Sequence, residues 1–130
     1  MTNTGYIGGA TDKSVTLVGY TASTGAPYTA GAYNTSGITA KYRRQGANAE
    51  VAITLATQTA GGAHSDGGFV HVSGGRYRLD LPDAAIAASS DWVDIWVYGI
   101  ADTVFTTAHI DILGVDPRSA AAVGADIQSI

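Results

Sequence analysis

The stretch Gly74-Gly75-Arg76-Tyr77-Arg78-Leu79-Asp80-Leu81-Pro82 decides the fold. Tyr77, Leu79 and Leu81 alternate with Arg76, Arg78 and Asp80, the period of a strand with one face in a core and the other in water. The glycine pair supplies the φ > 0 backbone of a tight turn. Pro82, which lacks a backbone N–H, stops the strand. Upstream of the turn, residues 69–72 form a short strand, and residues 57–68 form a loop loaded with Gly61, Gly62, Asp66, Gly67 and Gly68.

The same period recurs outward in both directions. Toward the N-terminus, Val15 and Leu17 oppose Thr16, Val18 and Tyr20. After a turn-rich stretch over 21–37, Ile38, Ala40 and Tyr42 alternate with Thr39, Lys41 and Arg43. Val51, Ile53 and Leu55 then point inward across a turn at 45–49. Toward the C-terminus, residues 83–88 suit one helical turn. Val93, Ile95 and Val97 oppose Trp92, Asp94, Trp96 and Tyr98, and over 105–113 Ala108, Ile110 and Ile112 oppose Thr107, His109 and Asp111. About seven strands with no long helical pattern between them predict an all-β fold, an antiparallel β-sandwich, with closure into a small barrel as the alternative. The predicted core is Leu17, Ile38, Tyr42, Val51, Ile53, Tyr77, Leu79, Val93, Ile95, Val97, Ile110 and Ile112.

Both ends differ from this body. Residues 1–13 are polar and glycine-rich and read as a flexible arm, leaving the sandwich at 14–115. Over 116–130, Asp116 and Pro117 suit a helix start, and Ala120, Val123, Ile127 and Ile130 recur three to four apart. A helix of about 14 residues is marginal alone in water, so its apolar stripe must pack on the sandwich or on copies of itself.

Length and composition narrow the function. A chain of 130 residues suits one domain. It contains no cysteine, which excludes disulfides, thiolate metal sites and a cysteine nucleophile. The net charge is −4 with seven Lys and Arg, and Lys41, Arg43 and Arg44 form the one tight basic cluster; nucleic-acid binding, which needs a basic surface, is not expected. No run has the length of a membrane helix, and the N-terminus lacks the basic start and apolar core of a signal peptide, so a soluble chain without membrane insertion is expected.

Candidate chemistry is sparse. His64-Ser65-Asp66 holds the residue types of a hydrolase triad, but adjacent residues cannot converge as a triad does, and Asp66-Gly67-Gly68 reads as a turn. His64, His71 and His109 lack the spacing that puts two ligands on one face; His109 and Asp111 share a strand face, as a weak zinc pair or a solvated surface. Asp80, Asp83, Asp91, Asp94 and Asp102 lack the density of a calcium loop. No cofactor, no metal and no catalytic residue is expected. Trp92, Trp96 and Tyr98 fall on one strand face, as part of a core, a subunit contact or a platform for sugar rings.

The run from Ala63 through Phe69-Val70-His71-Val72 to Leu81-Pro82-Asp83-Ala84 resembles a β-sandwich domain of phage and prophage tail or fibre proteins. Gly25-Ala26-Pro27-Tyr28, Thr39-Ala40-Lys41-Tyr42 and Asp111-Ile112-Leu113-Gly114-Val115-Asp116-Pro117 are similar to that family's opening and exit segments. The resemblance implies an Ig-like or jelly-roll-like sandwich and a virion location after synthesis in the host cytoplasm. It also implies a non-enzymatic structural role beside other virion proteins, in homotrimers that the 116–130 helix would begin to bundle. Multivalent display would convert weak contacts, including contacts with a host-surface glycan, into attachment. A carbohydrate-binding module using the aromatic stripe is the alternative, and a small hydrolase using His64 or His109 is a third.

Overall fold

The computed structural model describes residues 2–114 and is built from β-strands in two sheets. The strands are β1 (Thr2–Ile7), β2 (Ser14–Thr21), β3 (Thr39–Arg44), β4 (Val51–Ile53), β5 (Phe69–Ser73), β6 (Arg76–Asp80), β7 (Trp92–Tyr98), β8 (Thr103–Phe105) and β9 (Ala108–Leu113), with a 3-10 helix at Asp83–Ile86. One sheet runs β1-β9-β7-β3-β4 and the other β5-β6-β2-β8. All neighbours pair antiparallel except β1, which lies parallel to β9.

Period two places the core between the sheets. Pairing Val15 with Leu79 and Leu17 with Tyr77 sets one apolar layer. Pairing Ala40 with Val97, Tyr42 with Ile95, and Val93 with Ile110 sets the other. All of these side chains are buried, together with Phe69, Leu81, Ile86 and Phe105. Tyr77 sits among aromatic neighbours, stacked on Phe69 with centroids 5.1 Å apart and edge-on to Phe105 at 5.3 Å. Its hydroxyl donates to Tyr28 O (2.7 Å) and accepts from Gly31 N (3.0 Å), fastening the long 22–38 connection to the core. The β5–β6 turn uses Gly74 and Gly75 at φ +60° and +86°, as their spacing predicts.

Several expectations are corrected. The flexible arm at 1–13 instead contains β1, an edge strand held by the ladder to β9 and by the Tyr6 hydroxyl on Ser14 O (2.7 Å). The single strand over 105–113 is two strands in different sheets. At the crossing, Thr106 exchanges bonds with Val18, its N donating to Val18 O (2.9 Å) and its Oγ1 accepting from Val18 N (3.0 Å). Val51 is 47% exposed because β4 is a short edge strand, and Ile38 is half-buried against the core.

Asp80, assigned to the wet face of β6, is fully buried. Loop 57–68 covers it: Gln58 Nε2 (2.8 Å) and Ser65 N (3.0 Å) donate to Oδ2, Ser14 Oγ (2.6 Å) donates to Oδ1, and Arg78 grips both oxygens. The Arg78 guanidinium also donates to Gly62 O (2.8 Å), tying the loop to the same carboxylate. The expected helix over 116–130, with Ala120, Val123, Ile127 and Ile130, lies outside the described residues.

Candidate functional site

The outward face of the five-stranded sheet collects the polar and aromatic residues that alternation leaves outside. Trp92, Asp94, Trp96 and Tyr98 project from β7 because Val93, Ile95 and Val97 are committed to the core. The register then fixes their neighbours: Trp92 pairs with Asp111, Asp94 with both His109 and Arg43, Trp96 with Lys41, and Tyr98 with Thr39. Trp92 and Trp96 are half-buried and Tyr98 is 43% exposed, so the three stand on one face of the strand and none belongs to the inter-sheet core.

Charges interlock around this stripe. His109 Nδ1 lies 2.6 Å from Asp94 Oδ1, and its Nε2 lies 3.2 Å from Asp111 Oδ1. A neutral imidazole carries one N–H, so facing carboxylates on both nitrogens favours the doubly protonated ring. The hydrogen bond that His109 donates to Asp94 accordingly raises the His109 pKa above its ordinary value, and Asp111 adds to the effect. The imidazole packs against Trp92 with centroids 5.7 Å apart, and the Arg43 guanidinium lies over the same indole at 5.8 Å. Trp92 thus contacts both the His109 ring and the Arg43 guanidinium. Beside Trp96, Lys41 Nζ reaches Glu50 Oε1 at 3.3 Å, which raises the lysine pKa and lowers the glutamate's. Among the described residues, no ring or cation stacks on Trp96.

The other histidines do structural work elsewhere. His64 is nearly buried, with Nε2 at the carbonyls of Lys13 (3.2 Å) and Leu81 (3.1 Å) and Nδ1 facing Asp12 (3.4 Å) and Asp66 (3.7 Å). Ser65 donates its backbone N–H to Asp80 Oδ2 (3.0 Å). His71 accepts from Gly75 N (3.1 Å) and packs edge-on against Tyr77. Of the sequence candidates, the fold therefore brings together Trp92, His109 and Asp111, adds Asp94 and Arg43 from the flanking register, and leaves His64 and His71 apart. Among the described residues, no group of three or more His, Cys, Asp or Glu side chains is placed to hold a metal ion, and no helix is long and apolar enough to cross a membrane.

A depression of about 340 Å³ lies at the opposite end of β9, lined by Gly8, Ala88, Ser89, Asp91, Ile112 and Gly114 among others. It holds one carboxylate, whereas glycoside hydrolysis ordinarily needs a pair across a cleft. No protein family, curated protein or solved structure matches this chain.

Proposed function

We propose that this chain is a non-enzymatic β-sandwich module that works by contact, through the outward face of its five-stranded sheet, as part of an oligomeric virion appendage such as a phage fibre or tail. The observation that carries the contact reading is Trp96: a half-buried indole on an uncovered sheet face, next to exposed Tyr98 and beside Lys41 of β3. Aromatic side chains with a few fixed charges are what contact surfaces concentrate.

The finer fold reading is an Ig-like wiring. Supporting it, β3, β7 and β9 occupy the places of strands C, F and G, with β4 beside β3 as C′, while β2, β5 and β6 take the places of B, D and E. The phage attribution and the trimer rest on the phrasing of residues 63–84 and 111–117, and the pattern at Ala120, Val123, Ile127 and Ile130 offers an apolar stripe through which copies would bundle.

Sedimentation of the full chain from about 10 μM to 1 mM tests the contact reading, the range in which small interfaces associate. An oligomer whose mass falls in Trp96→Ala is expected. A monomer throughout would overturn it. Binding of that monomer to glycans, lost in Trp96→Ala, would move the face to the carbohydrate-binding alternative.

A further inference from the structure

The outward face carries a charge order that complements itself. Across the sheet, one row reads His109 on β9, Asp94 on β7, Arg43 on β3 and, one step beyond the Tyr42–Val51 pair, Glu50 before β4. His109 lies between the Asp94 and Asp111 carboxylates, which favour its protonated form, and with the ring protonated the signs run plus, minus, plus, minus. The next row reads Trp96, Lys41 and Ala52, with Thr107 one step before the Ile95–Ala108 pair.

We propose that this face binds a second copy of the same chain about a twofold axis that runs parallel to the strands between β3 and β7. The inference rests on the contact reading above and adds the partner and the register. Such an axis reverses the order of each row while keeping its level along the strand. Asp94 of each copy then faces Arg43 of the other, His109 faces Glu50, and Lys41 lies over the partner's Trp96 ring. Thr107 meets Ala52. Every charge in the first row meets its opposite, and the open indole gains a cation.

The alternative in-plane twofold, perpendicular to the strands, lays each strand across its own copy. It superposes the basic β3 column of Lys41 and Arg43 on itself. The sign order therefore selects one isologous arrangement. Arg43 is available for it: it is exposed, stacks on Trp92, and among the described residues makes no ion pair with its register partner Asp94. The four overlapping strands are roughly 19 Å wide at the usual spacing, and β7 is roughly 23 Å long. That footprint is at the small end for specific interfaces and fits a weak dimer.

Charge reversal in the full chain, read by sedimentation equilibrium, tests the arrangement. Arg43→Glu alone and Asp94→Arg alone each bring like charges together, and each is expected to weaken association at least about tenfold. An equimolar mixture of the two variants restores opposite charges at both symmetry-related contacts and is expected to restore the wild-type mass. A mixture that associates no better than its components would overturn the twofold. Because Asp94→Arg also removes the His109 bond, a second measurement leaves that cluster intact. The chain has no cysteine, so Ala52→Cys and Thr107→Cys variants introduce single thiols. A short bismaleimide should join the two variants when mixed and join neither to itself, and absence of the mixed product would also overturn the twofold. If Trp96→Ala lowers the mass while both of these tests fail, the face remains a contact surface in another register. If none has an effect, the contact reading falls as well.

Discussion

Asp94 and His109 are direct cross-strand partners on β7 and β9, and the carboxylate Oδ1 lies 2.6 Å from the imidazole Nδ1. The pair joins two strands whose inner faces are already committed to the core, so it fixes the outward surface without altering the packing beneath it. The raised His109 pKa gives the linkage a definite sign. Stability from the pair is fully present below the unfolded histidine pKa of about 6.5 and is lost as pH rises through the folded value. Asp94→Asn should therefore lower Tm more at pH 5.5 than at pH 9. An NMR titration should place the His109 pKa lower in Asp94→Asn than in the wild type. Equal Tm differences at both pH values would show that protonation of His109 adds nothing to the stability the pair provides.

Asp80 predicts acid sensitivity of the opposite sign. Burial by itself would raise its carboxyl pKa, but the Arg78, Ser14, Ser65 and Gln58 donors outweigh burial and hold it at about 2. Stability from this site is present above the unfolded carboxyl value and is lost as pH falls from about 4 toward 2, amounting to about 2 kcal/mol in all. Asp80→Ala strands the Arg78 guanidinium against loop carbonyls and should cost about 3–5 kcal/mol. Chemical denaturation at pH 7 and pH 3 checks both statements. The wild-type advantage over Asp80→Asn should shrink at the lower pH.

Tyr77→Phe isolates the hydroxyl from the ring. The aromatic stack on Phe69 remains, while Gly31 N and Tyr28 O lose their shared partner. The expected loss is about 1–3 kcal/mol, with hydrogen exchange accelerated in residues 22–38 ahead of the strands. Tyr77→Ala should cost more, about 3–5 kcal/mol, because it also opens a cavity between the sheets. If Tyr77→Phe leaves exchange at Gly31 unchanged, the hydroxyl does not fasten this connection.

These effects mark what period two can and cannot convey. Tyr77 and Leu79 are legible because each alternates with charged neighbours, Val93, Ile95 and Val97 because they alternate with Trp92, Asp94, Trp96 and Tyr98, and all five are buried. Trp92, Trp96 and Tyr98 are legible as one face for the same reason. The β1 residues Thr2–Ile7 show no such alternation, since a parallel edge strand is held by its backbone ladder and by Tyr6. Asp80 obeys the alternation and is buried nonetheless, because burial of an outward position depends on where loop 57–68 lies. The Asp94–His109 pair needs the β7–β9 register, and alternation within one strand carries no information about which residue of another strand stands opposite. The same holds for the sheet crossing at Thr106, where a continuous apolar pattern conceals a change of partner.

Gly37 and Gly99 supply the last test, at the ends of β3 and β7. They have φ of +84° and +98°, and a Cβ built on either would land on the carbonyl oxygen of the other. Two separate costs follow for any substitution: a left-handed backbone that L side chains adopt with strain, and a backbone clash that no rotamer relieves. Gly37→Ala and Gly99→Ala should each cost at least about 2 kcal/mol. By contrast Gly25, also at positive φ (+72°), has open space around its missing Cβ, so Gly25→Ala meets the backbone cost alone, about 1 kcal/mol. Thermal denaturation of the three variants separates the two contributions. Because Gly99 directly follows Tyr98, the Gly99→Ala variant should also displace the exposed end of the aromatic stripe, and association should weaken further than its change in Tm alone would explain. Equal Tm losses at positions 25, 37 and 99 would mean that backbone strain accounts for the whole effect and that the close approach of the two strand ends contributes nothing.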